Sequence, residues 1–107
     1  MRKIKLSNRT VYIIDDEDIV LQSYNAFVAR IRHGRLILGP LYDYSPTTWR
    51  HVRKFITTYI HELNDIAYNQ MYCMLHSKNG HATMREYIKN GIVPVLSNVG
   101  LMQGELI

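Results

Sequence analysis

Between Ser45 and Leu63 the apolar residues fall at one spacing. Trp49, Val52, Ile56, Tyr59, Ile60 and Leu63 recur every three or four positions, the period that lines one face of an α-helix. Ser45-Pro46 is a helix start: a serine oxygen caps free amides, and proline at the first helical position forfeits no hydrogen bond. The spacing predicts an amphipathic helix over residues 46–63, with Phe55 flanking the stripe. A helix that is apolar on one side needs a second layer against it.

The preceding residues supply that layer. Thr10-Val11-Tyr12-Ile13-Ile14 is β-branched and aromatic, and the acidic run Asp15-Asp16-Glu17-Asp18 ends it as a turn. Ile19-Val20-Leu21 opens a second extended segment that bends near Ser23–Asn25 and continues to Arg32. His33-Gly34 reads as a two-residue hairpin turn, with Arg35–Leu38 returning antiparallel. A three-stranded meander over residues 10–38 is expected. Beyond the long helix, Asn64-Asp65 opens a second helix over residues 66–76, unless the first runs on without a break. Thr83 and Glu86 have the capping-box spacing, and Gly91 ends that short helix. Pro94 confines residues 92–96 to a sheet edge or denies them strand structure. The expected fold class is α+β, a small antiparallel β-meander packed on a long amphipathic helix, with further short helices. The 107 residues suit a single domain, with a basic N-terminal segment at 1–9 and a mobile tail at 97–107.

Several function classes lose support at once. No apolar run approaches the roughly 20 residues of a membrane helix, and the basic N-terminus lacks the apolar stretch of a secretory signal. The single cysteine, Cys73, excludes an internal disulfide and suits a reducing cytoplasm. Its neighbours Met71, Tyr72, Met74 and Leu75 mark it as a buried, inert thiol. His61-Glu62-Leu63-Asn64-Asp65 resembles a zinc-protease helix with its second histidine missing. The run Asp15–Asp18 lacks the spacing and glycine of a calcium loop. There is no glycine-rich phosphate loop and no nucleophile elbow. No enzyme and no cofactor is expected.

Charge placement points to a partner. The chain carries +4 overall, but residues 1–54 hold ten Lys/Arg against five acids, while residues 55–107 are net −1. Six of those ten cations fall on one hairpin and one helix start: Arg30, Arg32 and Arg35, then Arg50, Arg53 and Lys54. If the two groups meet, they form one positive face for an anionic partner. Ser45, Thr47 and Thr48, with His51 one turn on, make a candidate anion cradle, beside the simpler role of N-capping. Tyr42 and Tyr44 alternate just before the helix, placed either to stack on bases or to edge the core.

One stretch resembles a known module. Ser23-Tyr24-Asn25-Ala26-Phe27-Val28-Ala29, the hairpin, and Tyr44-Ser45-Pro46-Thr47-Thr48-Trp49-Arg50-His51 with Phe55 are similar to a module of small phage and prophage proteins. That pattern runs Ser-Tyr-x-Thr-x-Val-Ala, a hairpin, then Tyr-Ser-x-Thr-Thr-x-x-His and an apolar helix. Ala26 departs from its threonine. The resemblance implies a mobile-element protein of the bacterial cytoplasm and singles out Tyr44, Ser45, Thr47, Thr48 and His51. The leading expectation is a non-enzymatic, anti-defence inhibitor of the anti-CRISPR kind. It would bind a nucleic-acid-handling host protein, or nucleic acid itself, through the basic face. The alternatives are a DNA-binding regulator using helix 46–63 and a phosphoester hydrolase at the Ser45–His51 helix start.

Overall fold

Five strands in chain order make one antiparallel meander: β1 (Arg2–Leu6), β2 (Arg9–Asp15), β3 (Asp18–Ser23), β4 (Ala26–Arg32) and β5 (Arg35–Leu38). The structure, a computed structural model, describes residues 2–100. Two of the strands depart from expectation. The basic N-terminal segment is β1, with Lys3 opposite Tyr12 and Lys5 opposite Thr10. Lysines on an outer strand keep other chains from pairing with it, which is why the stretch looked like a charged tail. The bend at Ser23–Asn25 is a tight turn between two strands, with Ser23 paired to Ala26. Tyr24 takes φ 54° there, a left-handed conformation that a tyrosine does not announce. The His33-Gly34 turn is as expected, with both residues at positive φ.

The first helix is shorter than the spacing implied. The first helix, α1, covers Pro46–Thr58, and Ile60–Glu62 form a separate 3-10 turn. The predicted single helix over 46–63 is thus broken at Tyr59. Thr57 and Thr58 turn their hydroxyls back onto the Arg53 and Lys54 carbonyls, each at 2.8 Å, a local bond that weakens a helix from within. The apolar stripe still marks the core, because three-residue turns preserve the Ile60-to-Leu63 spacing. Helix α2 (Asp65–Leu75) starts where expected, with Asn64 accepting from the Ala67 amide. Helix α3 (Gly80–Lys89) begins three residues before the Thr83 capping box and ends on Gly91 at φ 74°. The Ile92 amide bonds the Tyr87 carbonyl across that end, the bond pattern of a glycine-terminated helix. Residues 94–96 form no strand. They run beside β5, with the Leu38 amide on the Pro94 carbonyl and the Leu96 amide on the Leu38 carbonyl.

One core joins the layers. Leu21, Val28, Ile31 and Leu38 of the sheet meet Val52, Phe55 and Ile56 of α1, with Met71, Met74 and Met84 closing it from α2 and α3. Cys73 lies on the exposed side of α2. The apolar neighbours that suggested burial point elsewhere on the helix. Arg30, expected on the binding face, is buried instead. Its Nε and Nη2 grip both carboxylate oxygens of buried Asp18, and its Nη1 donates to the Gly100 carbonyl at 3.1 Å. Val99 and Gly100, within the expected mobile tail, are therefore packed. Val99 is buried, and a Cβ on Gly100 would stand 2.5 Å from the Phe27 ring. The rest of that tail, 101–107, lies outside the described residues.

The pair predicts an asymmetry in stability. Asp18→Ala strands a buried guanidinium and should lower the unfolding free energy by about 3–5 kcal/mol. Half-exposed Arg32 only approaches the same carboxylate at 3.7 Å, so Arg32→Ala should cost under about 1 kcal/mol. Chemical denaturation of the two variants measures the difference.

Candidate functional site

The two motif halves that lie about twenty residues apart in the chain come together in space. β3 ends on Ser23, and α1 starts on the Ser45 cap. Ser23 Oγ and His51 Nδ1 lie 2.7 Å apart in a buried hydrogen bond. The Tyr24 ring stands 5.9 Å from the His51 ring. Between the Tyr24-Asn25 turn and the helix start opens a mostly apolar pocket of about 290 Å³, walled by Ser23, Tyr24, Val28, Leu41, Tyr44 and Thr48. Tyr44 is 78% exposed and Tyr24 54%, so both rings are free to meet a ligand. Ser45 spends its oxygen on the Thr48 amide and hydroxyl, at 3.1 and 3.0 Å. The expected anion cradle is thus a self-capped helix start. Thr48 is buried and Thr47 half-buried.

His51 turns inward rather than joining the surface cations. Burial pushes its pKa below the ordinary histidine value, and the positive charges of Arg9 and Arg50 add to that. The imidazole is neutral near pH 7, held by Ser23 on one side. A catalytic serine–histidine pair relies on a carboxylate to orient the ring and stabilise its charged form; here the charges of Arg9 and Arg50 oppose that form. Among the described residues, no group of three or more His, Cys, Asp or Glu side chains is placed to share a metal ion.

The expected positive face divides. The Asp16-Glu17 and His33-Gly34 turns meet at one end of the sheet, where the His33 amide bonds the Glu17 carbonyl. Arg30 and Arg32 converge there on Asp18, and His33 on Glu17. Arg35 lies at the same end, beside Asn64 and Ile66. The Ser7-Asn8 and Tyr24-Asn25 turns meet at the other end, joined by the Tyr24 amide on the Asn8 carbonyl. There the exposed cations are Arg50 and Lys54 of α1. Arg53, also exposed, reaches toward the Leu75 carbonyl at 3.5 Å. Tyr42, expected to face a partner, is buried edge-on against Trp49, with ring centroids 6.0 Å apart. Burial, then the neighbouring Asp43 carboxylate, raises its pKa.

Sequence reasoning missed the cations that complete the Arg50 group. Lys3, Lys5 and Arg9 line a second hollow of about 340 Å³ with Tyr12, Gln22 and Tyr24. Arg9 also borders the cleft between sheet and helix beside Lys54. Among the described residues, none of Lys3, Lys5, Arg9, Arg50 and Lys54 is within ion-pair distance of a carboxylate. Ser23 and Tyr24 stood in the quoted motif without being counted as site residues, since nothing in the chain said that His51 would reach back to them.

The buried imidazole sets a pH dependence. Its folded pKa lies below the unfolded value of 6.5, so the unfolded chain binds the proton more readily and stability falls as pH drops through that range. The unfolding midpoint should decline as pH falls below about 6.5, and decline less in His51→Gln. Thermal denaturation across that window tests it; equal slopes for the two proteins would remove the role given to His51.

No curated protein and no solved structure matches the chain. A family model described as a family of unknown function (DUF8033) matches residues 2–72, a span that holds the whole sheet, α1 and every wall of the pocket; the chain belongs to that family.

Proposed function

We propose that the protein is a non-catalytic binder that engages a polyanion stoichiometrically, a nucleic acid or the acidic surface of a protein that handles one. One observation carries this reading: among the described residues, the cations at the Tyr24 end have no carboxylate within ion-pair distance. Lys3, Lys5 and Arg9 share one hollow, and Arg9 links it to Lys54 on α1. Arg50 is close enough to act with Arg9 on the His51 charge. Every acid of the β2–β3 turn stands at the opposite end of the sheet. Uncompensated charge on one face attracts an anionic partner and speeds the encounter.

The charges of Arg9 and Arg50, which disfavour a protonated His51, support binding over hydrolysis at the helix start. A regulator reading DNA with α1 has less support, because Val52, Phe55 and Ile56 are buried and the helix presents only its cationic stripe. In a phage or prophage, such a binder would serve as an anti-defence inhibitor, occupying the surface on which a host nucleic-acid-handling protein works.

Charge reversal tests the face. Arg50→Glu with Lys54→Glu should weaken binding to heparin or DNA by about tenfold or more at low salt and flatten the dependence of affinity on salt. The folded state should survive, since both side chains are exposed and the buried face of α1 is untouched. Arg32→Glu with Arg35→Glu, at the other end, should leave affinity unchanged. Equal losses from both pairs, read by fluorescence anisotropy, would place the contact elsewhere.

A further inference from the structure

The hollow and the pocket share a wall, the Tyr24-Asn25 turn. Lys3, Lys5 and Arg9 line the hollow; Leu41 and Tyr44 close the apolar pocket. We propose that this double cavity is a site for single-stranded nucleic acid, one unpaired base seated between Tyr24 and Tyr44 with its flanking phosphates on Lys5 and Arg9. The proposal rests on the cationic face described above and names its ligand.

Three observations lead there. First, the two cavities offer what a nucleotide offers in return. An apolar slot flanked by exposed aromatic rings suits a base of any identity, and an adjoining row of unpaired cations suits the backbone. An acidic protein surface would use the cations but leave the pocket empty. A duplex keeps its bases stacked and could not fill it. Second, Tyr24 is kept at a backbone conformation that glycine or asparagine adopts more readily, φ 54°. Its ring is half exposed, so packing does not account for it, and outliers of this kind collect at ligand sites. Third, the ring is backed. His51 lies behind it at 5.9 Å and is itself fixed by Ser23. A stacking platform gains from being held before the ligand arrives.

An oligothymidylate of about 12 nucleotides, within the roughly 4–16 that one small binding fold covers, serves as the probe. It is compared by fluorescence anisotropy with a duplex of equal length and with heparin, which has charge but no bases. The single strand should bind the wild-type chain more tightly than the duplex. Tyr24→Gly and Tyr44→Ala should each weaken single-strand binding by about tenfold and leave heparin affinity unchanged. Tyr24→Trp should retain binding. Tyr24→Gly should not lower the melting temperature, because glycine relieves the turn; a merely structural tyrosine would lower it. Wild-type affinity of both tyrosine variants for the single strand would overturn the base site while leaving the polyanion reading intact. Parallel loss of heparin and single strand would overturn it as well, by showing a general loss of surface. Failure of heparin, duplex and single strand alike to bind would overturn both.

Discussion

The hydrogen bond between Ser23 and His51 sets how the sheet and the first helix meet. The core beneath them is apolar and non-directional: Leu21, Val28, Val52 and Ile56 would tolerate a small rotation of α1 without losing much buried surface. A 2.7 Å bond between two buried side chains would not. It ties the end of β3 to the second turn of α1, and a buried partner left alone would cost about 1–3 kcal/mol. The helix start is thereby placed opposite the Tyr24-Asn25 turn, at the distance that leaves a pocket between them. The helix-start side of the candidate site, with Tyr44 and Thr48, takes its position from that join.

Charge is sorted by the same topology. A meander puts alternate turns at opposite ends, so the acidic β2–β3 turn falls beside the β4–β5 hairpin and away from the β1–β2 and β3–β4 turns. Asp18 and Glu17 then absorb Arg30, Arg32 and His33 at their own end. The other end keeps Lys3, Lys5, Arg9, Arg50 and Lys54 without a counter-charge among the described residues. A chain with a net charge of only +4 so gathers several cations away from the acidic turn. The total counts Arg30 equally with Lys5, although one is buried against a carboxylate and the other faces solvent.

Local signals were legible in the sequence, and associations between distant segments were not. The Ser45-Pro46 start, the Asn64 cap, the His33-Gly34 turn and the Gly91 stop are each decided by a few adjacent residues, and each stands where expected. The length of α1 was overread, since an apolar stripe reports which side faces the core and carries no record of Thr57 and Thr58 bonding back to the helix. Strand β1 was hidden because its lysines occupy an edge, where charge is tolerated. Arg30 was misplaced because its surroundings, Asp18 across the ladder and Gly100 seventy residues on, are tertiary. His51 was counted among surface cations for the same reason: only the approach of Ser23 reveals which way it faces.

Tyr24 shows most clearly how a local rule can fail at a site that matters. A two-residue turn with a positive φ ordinarily recruits glycine or asparagine, and Asn25 sits next door without adopting it. Holding an ordinary side chain there costs of order 1 kcal/mol, and the fold draws little in return. The ring is half exposed and contributes nothing to the continuous core. Its neighbours are the His51 ring and two open cavities. A residue that strains the backbone, leaves the core and is propped from behind by a fixed imidazole has the properties of a binding surface held ready. Where propensity, pattern and packing agree, a position is explained by folding. At position 24 they disagree, and what remains to explain the tyrosine is what its exposed face can hold.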